Sequence, residues 1–335
     1  MANQKLGCLS IFLFVALCAS LVVNVILTAT TLGRLGGGVR VEEPIPQFRE
    51  VVVQRATRGS GDKIVLITLR GLISSALPGD VSDSMVDDMR AALQQAREDD
   101  DVKAVVLEID SPGGEVTASD VIYNAVVKTR AKKPVVVYMG SLAASGGYYV
   151  SCGGKFLMAN DTTITGSIGV IVQTFNYEQL FNKIGLASVV FKSGEFKDML
   201  NGARPITPAE RELVQSFVMK TYDKFLGIVA KERNLPADVL RNTVADGRIL
   251  SGRDALESKL LDALGQIEDA FAKAKELGNA PDAKIIKYGP PFALGRFFRA
   301  LGQPGSSKLE LTLPRQLVPQ LETGRAYFLP SFYAP

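Results

Sequence analysis

The chain has 335 residues, of which 47% are hydrophobic and 22% are charged, and its net charge is +3. This length suits one sizeable domain with appendages or two small domains, and the charge balance gives no electrostatic case for nucleic acid. The sequence contains no histidine, which excludes Ser-His-Asp and Cys-His catalysis and histidine-ligated zinc. A hydrolytic mechanism would therefore need a carboxylate, a lysine or an amino terminus as its base.

The three cysteines exclude further classes of site. Cys8 and Cys18 lie in an apolar N-terminal run, and Cys152 is the only cysteine beyond it. The globular part therefore cannot contain an internal disulfide, and no cluster has the spacing of metal ligands. Cys152 is a poor candidate nucleophile because no histidine is present to activate its thiol. We expect neither a metal nor a cofactor.

The N-terminal segment is predicted to be a membrane anchor. No charged residue occurs from Leu6 to Gly33, and as a helix this stretch would be roughly 42 Å long, more than the ~30 Å hydrocarbon core. A cleaved signal peptide is the alternative, but Leu17 and Cys18 interrupt the small residues that a cleavage site needs. Residues 1–33 are thus assigned to a transmembrane helix. Residues 34–62, which are rich in glycine, are assigned to a linker.

The next residues alternate between apolar runs typical of strands and periodic stretches typical of helices. This alternation predicts an α/β domain with parallel strands and crossover helices over 63–275. Strands are predicted at 63–69, 102–109, 134–139, 156–159, 169–174 and 187–191. Helices are predicted at 82–98, 117–129, 143–152, 208–232, 237–245 and 252–263.

Residues 276–335 are predicted to be a C-terminal extension outside the main core. The extension contains scattered proline and aromatic residues and ends in the apolar stretch 326–335. One hypothesis is that this end occupies the substrate groove of a neighbouring copy. The alternative is a disordered extension or a contact with a membrane surface.

Two loops that follow predicted strands carry the candidate chemistry, because ligand sites form where strands end in α/β sheets. The first is Ser-Pro-Gly-Gly at 111–114, whose paired glycines can point backbone N–H groups at an oxyanion. A strand-to-helix turn that merely requires glycine explains the same residues. The second is Gly-Ser-Leu-Ala-Ala-Ser-Gly-Gly-Tyr-Tyr at 140–149, in which Ser145 lies among small residues. Ser145 is either a nucleophile or a helix cap.

These motifs, taken together, resemble those of signal peptide peptidase A, a family of bacterial membrane serine peptidases. The family is related in fold to the Clp protease proteolytic subunit and the crotonases. The stretches that carry the resemblance occur in the same order over about 63–270: 110–114, 143–151, Thr-Gly-Ser-Ile-Gly-Val at 165–170, 192–198 and 246–262.

The resemblance implies a Ser-Lys dyad, which agrees with the absence of histidine. By motif, Ser145 is the nucleophile, Lys197 is the general base and Ser167 orients the lysine. Gly114 and Gly146 supply the N–H groups of the oxyanion hole. The residues alone do not distinguish Lys197 from Lys192 as the base. A lysine base must also be desolvated, since a lysine of ordinary pKa is only about 0.4% neutral at pH 8.

The resemblance also implies an assembly and a location. It predicts a single-pass protein of the bacterial cytoplasmic membrane with its catalytic domain on the extracytoplasmic side. The short form of the family implies a homo-octamer in which the lysine of one subunit serves the serine of its neighbour. The expected substrates are cleaved signal peptides and similar short unfolded or membrane-associated peptides. Two alternatives are a crotonase-like enzyme acting on an acyl thioester and a catalytically inactive membrane scaffold.

Overall fold

The computed structural model describes residues 48–75, 85–289 and 327–328, together with five positions between 17 and 24. The chain divides into two compact units, 1–45 and 46–335. In the first unit the five described positions are helical, and Asn24 Nδ2 donates a 2.8 Å hydrogen bond to the carbonyl oxygen of Ser20. The rest of the predicted anchor lies outside the described residues. Within the described part of the chain, no helix is long and apolar enough to cross a membrane.

The second unit contains the helices and strands of an α/β domain. In chain order they are β1 (Arg49–Gln54), β2 (Lys63–Arg70), α1 (Met85–Glu98), β3 (Val102–Ser111), β4 (Gly114–Glu115), α2 (Val116–Arg130), β5 (Val135–Ala144), α3 (Gly146–Ser151), β6 (Phe156–Ala159), β7 (Ile164–Gly166), α4 (Glu178–Lys183), α5 (Pro208–Arg233), α6 (Ala237–Thr243), β8 (Ile249–Ser251), α7 (Gly252–Glu257), β9 (Ala263–Leu264), α8 (Ile267–Leu277), β10 (Lys284–Gly289) and β11 (Tyr327–Phe328).

The main sheet is mostly parallel, which confirms the predicted α/β class. Its strand order is β1-β10-β2-β3-β5-β6-β9, and β7 pairs with both β5 and β8. The pairs β10–β2, β2–β3, β3–β5, β5–β6, β5–β7 and β6–β9 are parallel, whereas β1–β10 and β7–β8 are antiparallel. Helix α1 connects β2 to β3 and α2 connects β3 to β5, so both are the crossover helices that parallel pairing requires.

The central strands are buried on both faces, which explains why they are apolar throughout rather than alternating. Val65, Val105 and Val137 belong to one hydrophobic cluster together with residues of α1, α2 and α5. The alternate positions of the same strands, such as Val106 and Val136, belong to a second cluster that includes Ala270 and Ala274 of α8. Helices therefore cover both faces, and the carboxyl ends of the central strands are left to form the site.

Several elements differ from the predictions. The segments 169–174 and 187–191 are not strands, and in the first only Ile171 forms an isolated bridge, with Tyr327. The helix predicted for 252–263 ends at Glu257, because Lys259 has a φ of 60° that a right-handed helix does not allow.

Two strands lie outside the bounds predicted for the domain. Strand β1 lies within the stretch predicted as a linker, and β10 lies within the predicted C-terminal extension. Strand β10 adds to the edge of the sheet by parallel pairing with β2, and β1 then covers β10. Their polar and apolar residues alternate weakly, so only the pairing identifies them as strands.

Candidate active site

Ser145 lies at the junction between β5 and α3. The structure continues β5 through Ala144, where the sequence predicted a helix from 143, because Ala144 pairs with Gly166 of β7. Ser145 itself has φ 53° and ψ −114°, a conformation that costs a residue with a side chain about 1–3 kcal/mol and is concentrated at functional sites. Its N–H donates a 2.8 Å hydrogen bond to the carbonyl oxygen of Gly166. The sharp turn therefore depends on β7.

The hydroxyl of Ser145 is buried and lacks a hydrogen-bond partner. Ser145 is 0% exposed, and its Oγ accepts from or donates to no atom of the described residues. Buried hydroxyl groups are normally satisfied, so an orphaned one calls for a functional explanation. The side chain also makes no capping bond to α3, which argues against the hypothesis that Ser145 serves only as a helix cap.

The two predicted oxyanion glycines are neighbours. A Cβ added to Gly146 would lie 3.0 Å from Gly113 Cα and 3.1 Å from the backbone nitrogen of Gly114. It would also lie 2.6 Å from Ser119 Oγ, so only glycine allows this approach. The loop after β3 and the start of α3 are thus packed backbone to backbone beside Ser145. This arrangement can supply two N–H groups to one oxygen atom.

The glycine loop is fixed by a second backbone contact, with Ile73. The Ile73 N–H donates to the carbonyl oxygen of Gly113, and the Glu115 N–H donates to the carbonyl oxygen of Ile73, both at 2.8 Å. A Cβ on Gly114 would overlap this segment, lying 2.7 Å from both the backbone nitrogen and the carbonyl carbon of Ile73. The close approach of two backbones explains the glycine at 114.

Ser167, the residue expected to orient the lysine, follows directly after the carbonyl that holds Ser145. Ser167 is 3% exposed, has a φ of 50°, and donates its N–H to the carbonyl oxygen of Arg248 at 2.8 Å. Strand β7 therefore brings Ser167 to the same place as Ser145, Gly114 and Gly146. These four predicted site residues lie together at the carboxyl ends of β3, β5 and β7.

Lys197 is not brought to Ser145 within one chain. Its side chain is exposed, and it makes no hydrogen bond or ion pair with any residue in the described ranges. The nearby Lys192 differs in this respect. Lys192 Nζ lies 2.8 Å from Asp198 Oδ1, in an ion pair, and donates to the carbonyl oxygen of Glu195 at 3.0 Å.

Asp198 belongs to a charged cluster that anchors the lysine loop to α5. Arg204 Nε donates to Asp198 Oδ2 at 2.9 Å, and Arg204 also pairs with Glu210 at the first turn of α5. Hydrogen bonds from Arg204 and then from Lys192 hold the pKa of Asp198 well below its usual range. The Arg204 guanidinium likewise lowers the pKa of Glu210 to about 2. The cluster keeps both carboxylates charged and fixes the loop that presents Lys197.

A short strand from the C-terminal part of the chain lies against the glycine loop. In β11, Tyr327 pairs with Glu115 and Phe328 with Gly114, in antiparallel register. On its other side Tyr327 exchanges two 3.2 Å backbone hydrogen bonds with Ile171. Tyr327 is only 6% exposed. The gap between the glycine loop and Ile171 therefore accommodates an extended peptide chain.

A cavity of about 620 Å³ continues from this gap. It is bounded by the extended segment after Ile171, by the loop near Leu200 and by the start of α5, including Val214. The segment 180–191 exposes an apolar surface. Its large exposed side chains include Leu180, Ile184, Val189 and Phe191, the last of which is 95% exposed.

Two models of known protein families match parts of this chain. Residues 127–280 match the model of peptidase family S49, and residues 68–164 match that of Clp protease. The predicted resemblance is confirmed. The S49 match contains Ser145, Ser167 and Lys197, and the Clp protease match contains Gly114, Ser145 and Gly146.

Individual relatives give the same result. A putative signal peptide peptidase SppA of Enterococcus faecium is 39% identical over 197 residues, which is 58% of this chain and 57% of the relative. A putative protease of Methanocaldococcus jannaschii is 40% identical over 59% of this chain and 63% of the relative. A putative protease of Synechocystis is 41% identical over 54% and 65%. The chain thus spans less than two thirds of the length of each of these three relatives.

The sequence did not identify two parts of the site. Glu115 follows the paired glycines as an ordinary acidic residue, and nothing in the local pattern indicates that it is buried. Arg204 lies in a loop and resembles any surface arginine. The role of Glu115 depends on partners far away in the sequence, and the role of Arg204 depends on the conformation of its loop. Residue spacing predicts neither.

Proposed function

We propose that this protein is a membrane-anchored serine endopeptidase with a Ser145-Lys197 dyad that acts through an acyl-enzyme. The observation that carries the proposal is the buried, unpartnered hydroxyl of Ser145 beside the backbones of Gly114 and Gly146. A hydroxyl without a partner is free to attack, and adjacent N–H groups stabilise the oxyanion that results. A structural serine in the same position would be hydrogen-bonded.

The choice of Lys197 over Lys192 rests on their surroundings. A general base must spend part of its time neutral, and an opposite charge nearby favours the charged form of a lysine. The 2.8 Å ion pair with Asp198 therefore disfavours Lys192 as the base. Lys197 is not held in this way, and contact with a second subunit would remove water from its ammonium group.

The reaction then balances with these residues alone. Neutral Lys197 Nζ takes the proton of Ser145 Oγ as the oxygen attacks the carbonyl carbon of the peptide. The oxyanion accepts hydrogen bonds from the N–H groups of Gly114 and Gly146. The lysine ammonium gives its proton to the leaving amine as the C–N bond breaks, and the acyl group remains on Ser145. Water, deprotonated by the same lysine, releases the acyl group and restores the serine.

We propose that substrates bind as an added strand between the glycine loop and Ile171. Strand β11 occupies this position and pairs antiparallel with Gly114. Strand addition gives affinity through backbone hydrogen bonds and requires an unfolded peptide. This geometry suits short unfolded chains such as cleaved signal peptides, the substrates that the family resemblance implies.

We further propose that the dyad is completed between subunits of a homo-oligomer, an octamer in the form that the resemblance implies. The exposed position of Lys197 in a single chain and the exposed apolar side chains near Phe191 support this proposal. Residues 1–33 would anchor the assembly in the bacterial cytoplasmic membrane, with the catalytic domain on the extracytoplasmic side.

A fluorophosphonate probe tests the dyad with a matched pair of lysine variants. We expect the probe to label Ser145 and to label nothing in Ser145→Ala. Lys197→Ala should slow labelling by about 10²–10⁴-fold, the contribution of a general base, whereas Lys192→Ala should slow it by less than tenfold. If Lys192→Ala were the slower variant, the assignment of the base would be wrong. An absence of labelling in the unaltered protein would favour a crotonase-like enzyme or an inactive scaffold.

Complementation tests whether the dyad forms between subunits. Neither Ser145→Ala nor Lys197→Ala should cleave peptides alone, but co-expressed chains should form mixed oligomers. In a random one-to-one mixture about a quarter of the sites would combine an intact serine with an intact lysine from the neighbour. Recovery of about that fraction of activity is expected. If the mixture stays inactive although both chains are present in one oligomer, the dyad lies within a single chain.

A further inference from the structure

Glu115 is a buried carboxylate that the reaction described above does not use. It follows the oxyanion residue Gly114 directly and is 7% exposed. Carboxylates are rarely this buried unless they are paired or hydrogen-bonded. The donors that contact its carboxylate include two hydroxyl groups and a backbone N–H.

The carboxylate binds the segment that lies across the glycine loop. Oε1 accepts a 3.0 Å hydrogen bond from Ser74 Oγ. Oε2 accepts hydrogen bonds from Ser75 Oγ at 2.6 Å and from the Ser75 N–H at 3.3 Å. Hydrogen bonds to an ionised acceptor are shorter and stronger than neutral ones. Both oxygens of Glu115 therefore bind the same short stretch of chain.

The backbone of Glu115 is held as firmly as its side chain. Its N–H donates to the carbonyl oxygen of Ile73 at 2.8 Å, and its carbonyl oxygen accepts from Ser119 Oγ at 2.9 Å. The same Ser119 hydroxyl is the atom closest to a Cβ placed on Gly146, at 2.6 Å. Glu115 thus connects the segment 73–75 to the two glycines that face Ser145.

We propose that Glu115 is a positioning residue for the oxyanion hole, acting through the segment 73–75 to fix the direction of the Gly114 N–H. This inference rests on the proposed peptidase function. Its carboxylate binds Ser74 and Ser75 and makes no hydrogen bond to Ser145 Oγ. It therefore acts by holding the neighbouring peptide unit rather than by transferring a proton.

The physical basis is that catalysis by an oxyanion hole depends on pre-set geometry. Loss of one donor lowers kcat by about 10²–10³-fold, and a misplacement of about 1 Å lowers a rate by about 10²-fold. Glu115→Gln keeps the shape but removes the charge, so its hydrogen bonds to Ser74 and Ser75 become weaker neutral ones. The amide oxygen must face the Ser75 N–H, which can only donate, and the amide NH₂ then donates to the Ser74 hydroxyl, which can accept.

The test uses the full-length protein and three ligands. The substrate is an internally quenched apolar peptide. The other two are a boronic acid of the same peptide sequence and an uncleavable analogue of that peptide, which serves as a competitor. Glu115→Gln should lower kcat about tenfold, with KM within twofold. The inhibition constant of the boronic acid, which forms a tetrahedral adduct, should rise in parallel. Binding of the uncleavable peptide should not change. Ser75→Ala should reproduce these effects, and Glu115→Gln/Ser75→Ala should be no worse than either single variant, because both remove one interaction.

Glu232→Gln is the matched control, because Glu232 is also a buried carboxylate but pairs with Arg130 and Tyr123 away from the site. Glu232→Gln should leave kcat within twofold of the value for the unaltered protein. The proposal is overturned if Glu115→Gln leaves kcat and boronic acid binding within twofold, or if it changes KM and peptide binding instead. If the unaltered protein shows no Ser145-dependent cleavage, the proposed function itself fails, which is a separate outcome from a failure of Glu115.

Discussion

The close approach of Gly114 to Ile73 predicts that Gly114→Ala damages the oxyanion hole although the N–H group itself remains. The added methyl would overlap the carbonyl oxygen of Ile73 outright and lie 2.7 Å from its carbonyl carbon and backbone nitrogen, so the overlap exceeds the ~0.8 Å that the last two contacts alone imply. All three atoms belong to the backbone rather than to a flexible side chain, so the backbone must move by about 1 Å. A shift of this size should lower kcat by about 10–100-fold and destabilise the fold by about 1–3 kcal/mol.

Peptide cleavage and urea unfolding measure the two effects separately. Gly227→Ala is the control, since an added Cβ in the middle of α5 meets no atom within 4 Å. Alanine there should stabilise the protein by up to about 1 kcal/mol, by helix propensity, and should leave kcat unchanged. If Gly114→Ala cleaves peptides at a rate within twofold of the unaltered protein, the glycine does not serve to position the oxyanion donor.

Two further predictions concern the thiol and the charged cluster. Cys152 is 1% exposed, and burial raises the pKa of its thiol to about 12. Mass mapping should therefore find that iodoacetamide leaves Cys152 unmodified in the native protein and alkylates it in urea. Alkylation without urea would contradict its burial. The Arg204 guanidinium lowers the pKa of Glu210 from 4.5 to about 2, so the stability it contributes is complete above about pH 4.5 and is lost as the pH falls toward 2. The free energy of unfolding that Arg204→Leu removes should therefore become smaller as the pH falls from about 4.5 toward 2. A loss that does not change with pH would contradict the assignment of this ion pair.

The central strands and the long helices follow from local sequence. Strands β2, β3 and β5 are largely apolar runs, α1, α2 and α5 come from periodic stretches, and α5 begins with a capping box formed by Thr207 and Glu210. Such elements can be predicted from the sequence because each is determined by residues within a few positions of one another.

Edge strands and exposed segments cannot be predicted from local sequence in the same way. Strand β10 forms because β2 offers an edge for pairing, and β1 forms because β10 then offers the next edge. The residues of β1 and β10 by themselves predict strands only weakly. The segment 169–174 has strand-like composition but meets a single short partner at Ile171. Whether such a segment pairs is decided by what lies beside it in space.

For the site, the sequence alone excluded a histidine mechanism and placed serine and glycine in two loops that follow parallel strands. With the family resemblance it also nominated Ser145, Gly114, Gly146, Ser167 and Lys197. The tertiary structure decided which of these meet: the first four lie together in one chain, whereas Lys197 stays exposed. It also distinguished the two lysines by pairing Lys192 with Asp198. Spacing could not do so, because the charge state of a lysine depends on the atoms around its ammonium group and not on its place in the chain.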